Sequence, residues 1–349
     1  MVDSRRLYPH RLAKSAFIVT SNILGRTWRH TSKHVNRARR HFLHRARYSG
    51  PGRAMLSVTD VVTSPRDAMQ RRNAAAAYNR RHADTRLDRR DGFAVLRPGD
   101  VANTDAIIAL SLRLFEEKQR QAEAEAAASG KSKKWAFLRS ILTNQDLAKN
   151  PQLIDFALSD SLLSLVTNYL GTIPHLNRID LLYSVNHGGQ EAISSQIYHL
   201  DPEGTRQAKL FMNLRDVGPD EGPFTFIPAS ETTRIVNAIK KRRLDDTEMA
   251  AGRYSDEELE AVGGLEKAIS VAGRKGSAAL VDTSRCLHFG SRVKPGTYRL
   301  CLYIQYCTSR EHGNMFDASR HANDPVRYLA LVNSARAPQS AVAAPHQMG

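Results

Sequence analysis

The spacing of apolar positions changes once along this chain. Between about residues 104 and 170 they recur every three or four positions, as on one side of a helix. Between about 179 and 306 they fall in short, often alternating runs, as on strands. The first region predicts helices over 104–127 and 134–142. It predicts a third after Pro151, whose Ile154, Leu158, Leu162, Leu165 and Tyr169 share one face and which Gly171 stops. A short strand, Phe93–Leu96, precedes them and ends at Pro98-Gly99-Asp100. The second region predicts strands over 179–185, 192–199, 207–214, 223–227, 277–281 and 298–306. A helix at 231–243 and an acidic helix-like insert at 255–269 interrupt them.

Two of these strands indicate what lies on either side. In 299–306, Arg299, Cys301, Tyr303 and Gln305 face one way, and Leu300, Leu302, Ile304 and Tyr306 the other. In 209–214, Lys209, Phe211 and Asn213 oppose Leu210, Met212 and Leu214. The fully apolar faces need cover, which the early helices can supply. The mixed faces then line an interior polar enough to hold a ligand. Helices followed by a run of short strands predict an α+β fold: a double-stranded β-helix, the jelly-roll or cupin-like architecture, backed by N-terminal helices. That domain is expected over residues 91–335. The stretch 336–349, rich in Ala, Pro, Gln and Ser, reads as a disordered tail.

Charge separates the first quarter from the rest. The 349 residues carry a formal net charge of +16, and residues 1–90, with 21 Lys and Arg against 5 Asp, account for all of it. Residues 1–90 therefore read as a basic, partly disordered extension. Its plain reading is a solvated tail. Its functional readings are an arm for nucleic acid or an anionic membrane surface, or a targeting sequence. The balanced remainder fits a globular domain with a small-molecule substrate rather than a phosphate-binding surface. Three cysteines without CxxC spacing exclude a disulfide framework and argue against a zinc ribbon. No apolar run approaches the roughly 18–20 residues of a membrane span. A reducing, cytoplasmic location is the expectation.

The chemistry concentrates at four positions. His199 and Asp201 end a predicted strand two residues apart, so both side chains can meet one ion. Alone, this triplet fits equally a hydrogen-bonded strand-end histidine. His288 follows another predicted strand, and Arg299 lies eleven residues beyond it. Two imidazoles and a carboxylate on one face of Fe(II) leave three positions open, the arrangement of non-haem iron oxygenases. A 2-oxo acid fills two and O2 the third, and Arg299 offers a planar fork for the co-substrate's distal carboxylate.

In this order and spacing, His199-x-Asp201, His288 and Arg299 resemble the phytanoyl-CoA dioxygenase family of Fe(II)/2-oxoglutarate oxygenases. The segment Glu221-Gly222-Pro223-Phe224-Thr225-Phe226-Ile227-Pro228-Ala229-Ser230 resembles that family's Gly-Pro-Leu-x-x-x-Pro-Gly-Ser-His stretch, with Ala229 and Glu231 where relatives often have Gly and His. The resemblance covers about residues 92–310. It implies metal ligation by His199, Asp201 and His288, and 2-oxoglutarate binding by Arg299. It adds Asn186, and Ser291 in place of a hydroxyl residue usual where Gly290 stands. It implies hydroxylation of a small organic substrate with release of succinate and CO2. Asp201 favours hydroxylation over halogenation, because related halogenases lack that carboxylate. Gln196, Tyr198 and the basic run Lys131, Lys133 and Lys134 are candidate substrate contacts. The alternatives are a cupin-like metal-dependent isomerase, which needs no Arg299, and a non-catalytic binding protein led by the basic arm.

Overall fold

Alternation along the strands decides how this molecule is layered. The computed structural model describes residues 65–129, 138–186, 194–201, 206–242, 252–309 and 313–332. In chain order its elements are α1 (Pro65–Asn79), β1 (Phe93–Leu96), α2 (Thr104–Ser129), β2 (Leu138–Ser140), α3 (Asn144–Lys149), α4 (Gln152–Ala157), α5 (Asp160–Leu170), β3 (His175–Val185), β4 (Tyr198–His199), β5 (Gln207–Asn213), β6 (Thr225–Ile227), α6 (Ala229–Arg242), β7 (Arg253–Tyr254), α7 (Asp256–Glu260), β8 (Ile269–Ser270), β9 (Ala278–Val281), β10 (Leu287–Phe289), β11 (Tyr298–Cys307) and α8 (Pro325–Leu331).

The strands form two antiparallel sheets. The major one runs β1-β9-β5-β11-β3-β2, the minor one β7-β4-β10-β6-β8. This is the expected jelly roll. One core lies between the major sheet and the helices. It takes Leu300, Leu302 and Ile304 of β11 with Leu210 and Met212 of β5, and Ile154, Leu158, Leu162, Leu165 and Tyr169 from the helical region. The other draws Phe211, Cys301 and Tyr303 from the major sheet and Phe226 from the minor one. Burying one alternate set under helices leaves the other set facing the interior, where the site forms.

Several elements differ from expectation, each for a local reason. The helix expected over 134–142 is strand β2 in its described part. It pairs with β3 in the register Leu138↔Ser184 to Ser140↔Leu182, and edge pairing overrides weak local preference. The helix after Pro151 breaks at Ser159, whose extended backbone (ψ 148) separates α4 from α5, yet its apolar face stays buried throughout. Gly171 ends α5 in a left-handed cap, as expected. Of the strand expected over 192–199, the described part, 194–199, pairs at Tyr198–His199, after a 3-10 turn at Ser194–Gln196. The acidic insert is α-helical over Asp256–Glu260 and 3-10 over Leu265–Lys267, with Gly263 at φ +65 between the two.

The domain also starts earlier than residue 91. Helix α1 packs on α5 and α8, and Ala75, Tyr78 and Leu87 join the main core. Arg71, only 2% exposed, donates to the carbonyls of Leu329 (2.7 Å) and Val332 (3.0 Å) and pairs with Asp67. Within a segment whose plain reading is a solvated tail, this arginine instead ties α1 to α8. Arg71→Met is expected to cost about 3 kcal/mol, because it strands buried acceptors; the shift of the urea midpoint at constant slope measures it. Residues 1–64 of the basic extension, the basic run at 131–134 and the tail at 336–349 lie outside the described residues. Among the described residues, no helix is long and apolar enough to cross a membrane.

Candidate metal centre

The minor sheet brings the two histidines together. Strands β4 and β10 pair in the register His199↔His288, and the rings lie 4.3 Å apart. Asp201, two residues past His199, returns to the same side. Its backbone N–H donates to Thr283 O at 2.9 Å, in the turn that leads to His288. One ligand atom from each of the three side chains lies within 4.8 Å of the others. Asp201 Oδ1 is 3.6 Å from His199 Nε2, and Oδ2 is 3.3 Å from His288 Nε2.

Both imidazoles are oriented by the same device. His199 Nδ1 meets Ile197 O at 2.8 Å, and His288 Nδ1 meets Cys286 O at 3.0 Å. A carbonyl only accepts, so each Nδ1 carries a hydrogen, and in the neutral ring that leaves the Nε2 lone pair for an ion. Burial and the neighbouring His199 push the His288 pKa down, against the pull of Asp201, which favours the neutral, ligating imidazole. Burial alone would raise the Asp201 carboxyl. Lys209, and then His288, outweigh it and hold the group well below the usual carboxylate range. The residues therefore fit a divalent ion: two imidazole nitrogens and one carboxylate, preset to one face.

Arg299 lines the same cavity, of about 690 Å³, as the three candidate ligands. It is 2% exposed. Its Nη1 donates to Gly222 O at 3.1 Å and Nη2 contacts Ser291 Oγ at 3.5 Å, while Nε has no acceptor. Among the described residues it pairs with no carboxylate, and burial pulls its pKa below the ordinary value. Gly222 (φ +66) supplies its carbonyl where a Cβ would come within 2.7 Å of the Arg292 and Val293 backbone. At Gly290 a Cβ would stand 3.3 Å from the guanidinium, so glycine keeps that face open. A buried cation with an unfilled donor, facing a cavity, suits an anion that the protein does not itself provide.

The other expected positions divide. Ser291, at φ +66, lines the cavity and shares a 2.8 Å hydrogen bond with Ser184 Oγ, beside Arg299. Asn186 instead turns its amide to Val293 O (2.7 Å) and is not among the residues lining the cavity. Gln196 and Tyr198 also do not line it. Gln196 donates to Ser291 O at 2.8 Å. Tyr198, one residue from His199 and so on the opposite face of β4, packs edge-on against Phe289. Sequence reading placed Lys209 on an interior face but gave it no role. Its Nζ lies 2.6 Å from Asp201 Oδ2. A lysine on a strand otherwise buried on both faces was the available signal, since such a residue needs an acid.

No family model matches this sequence, and no curated protein matches it. Solved structures do resemble it. The epimerase SnoN in complex with Fe3+, alpha-ketoglutarate and nogalamycin RO is 18% identical over 68% of this chain and 87% of that one, with a TM-score of 0.41. EctD from S. alaskensis with bound Fe is 18% identical over 67% and 79%, with a TM-score of 0.43. HygX from Streptomyces hygroscopicus with nickel and 2-oxoglutarate bound is 16% identical over 64% and 86%, with a TM-score of 0.39. At such values the likeness carries nothing on its own, and the side chains carry the functional reading.

Proposed function

We propose that this protein is an Fe(II)- and 2-oxoglutarate-dependent oxygenase of the phytanoyl-CoA dioxygenase type that hydroxylates a small organic substrate. One observation carries the reading: Arg299, buried and unmatched by any described carboxylate, lines the same cavity as His199, Asp201 and His288. A metal-dependent isomerase has no need of that cation.

His199 Nε2, His288 Nε2 and Asp201 would hold the ion, with both rings locked by backbone carbonyls. Iron with 2-oxoglutarate would supply the oxidising power, consuming O2 and releasing succinate and CO2. Arg299 would grip the co-substrate's distal carboxylate bidentately, with the Ser291 and Ser184 hydroxyls beside it. Leu182, Phe211, Phe224 and Tyr303 wall the cavity and keep water from the reacting centre. The test is anaerobic titration of the full chain with Fe(II) and then 2-oxoglutarate. A visible charge-transfer band that saturates with both, and is absent in His288→Ala, is the expected result. Iron binding with no response to 2-oxoglutarate would overturn the reading in favour of another metal protein on this fold.

A further inference from the structure

Lys209 is only 5% exposed, and lysine is almost never buried unless paired. It sits on β5, inside the major sheet, opposite Gln305 on β11 and Val281 on β9, so neither cross-strand neighbour matches its charge. Its ammonium instead reaches Asp201 Oδ2 at 2.6 Å, closer than either imidazole Nε2 stands to that carboxylate. The carboxylate is thus fixed from two directions: its backbone by Thr283 and one oxygen by Lys209.

We propose that Lys209 is a positioning residue that sets how Asp201 meets the metal: it holds Oδ2, so that Oδ1 alone ligates. This rests on the metal-centre reading above. A carboxylate can give an ion one oxygen or both. On a six-coordinate ion held by two imidazoles, one oxygen leaves three positions open and two oxygens leave only two. A 2-oxo acid and O2 together require three. A charge-assisted hydrogen bond of 2.6 Å engages Oδ2 and draws its charge toward the ammonium, which leaves Oδ1 the better donor to an ion. The protein then decides the number of open positions through a residue that never touches the ion.

Mn(II) alone, added to the full-length protein, tests this without turnover. Water-proton relaxivity per bound Mn(II) counts exchangeable positions. Lys209→Met, close in volume and without the donor, is expected to lower it by about a third, as three open positions become two. Lys209→Arg should restore the wild-type value, since it returns a charged donor. If the Met variant fails to fold, Lys209→Gln replaces it: one atom shorter and uncharged, it should give the same fall. A folded Met or Gln variant that keeps wild-type relaxivity, or that no longer holds Mn(II), overturns the proposal. Wild-type protein that binds no Mn(II), or a His199→Ala/His288→Ala double variant that binds it as well as wild type, would instead overturn the metal reading itself.

Discussion

Asp201→Ala is expected to abolish succinate formation and to destabilise the fold by about 3–5 kcal/mol. The first effect follows from losing the only carboxylate in the His199–Asp201–His288 cluster. The second follows from Lys209, whose buried ammonium loses the carboxylate 2.6 Å away while two imidazoles stay nearby. The effects are separable. Adding Lys209→Met to Asp201→Ala should recover most of the lost stability, because no charge then remains buried at that point, yet turnover should stay absent. Thermal melts and a succinate assay on wild type, Asp201→Ala and the double variant check both. Undiminished turnover in Asp201→Ala would end the oxygenase reading; an unshifted melt would mean the ion pair does not anchor the fold. Acid should act in the corresponding direction. The folded-state pKa of Asp201 is depressed, so its contribution is complete above the ordinary carboxylate range and disappears only as pH falls through the depressed value.

Arg299→Met is expected to raise the melting temperature of the ligand-free protein while weakening 2-oxoglutarate binding about 100-fold or more. The two changes share a cause. A fully buried guanidinium with an unfilled Nε donor costs stability, which an apolar side chain of similar length recovers. Of the three arginines that line the cavity, Arg139, Arg178 and Arg299, only Arg299 is buried, and it alone is held beside the Ser291 and Ser184 hydroxyls to pair bidentately with a distal carboxylate. In wild-type protein loaded with Mn(II) under nitrogen, 2-oxoglutarate should raise the melting temperature by mass action, and in Arg299→Met it should not. Equal shifts in both proteins would remove Arg299 from the site. Such an exchange of stability for binding is what a site poised for an external ligand implies.

Periodicity makes much of this site legible in the sequence. Arg299 and Lys209 each share an interior face with alternate neighbours, and a two-residue repeat assigns that face without knowing the partner strand. His199 and Asp201 were readable as a pair because they are local; His288 needed the family spacing. What could not be read depends on contacts across the chain. Residues 138–140 became a strand because the edge of β3 was available to them. Arg71 looked like one more charge in a basic segment until Leu329 and Val332, more than two hundred residues away, supplied its acceptors. Tyr198 and Gln196 seemed near the chemistry by sequence distance, yet the pleat and a 3-10 turn direct them elsewhere. The Lys209–Asp201 contact spans eight residues, but it joins β5 of the major sheet to the segment just beyond β4 of the minor one, so no local pattern announces it.

The pairing of His199 with His288 carries a further consequence. Strand β4 has two residues and β10 three, so their ladder is too short to be robust by itself. An ion gripped by one imidazole from each strand acts as a cross-link over that ladder. Metal loading should therefore slow amide hydrogen exchange in β4 and β10 far more than in the long β3–β11 ladder, and chelation should release it again.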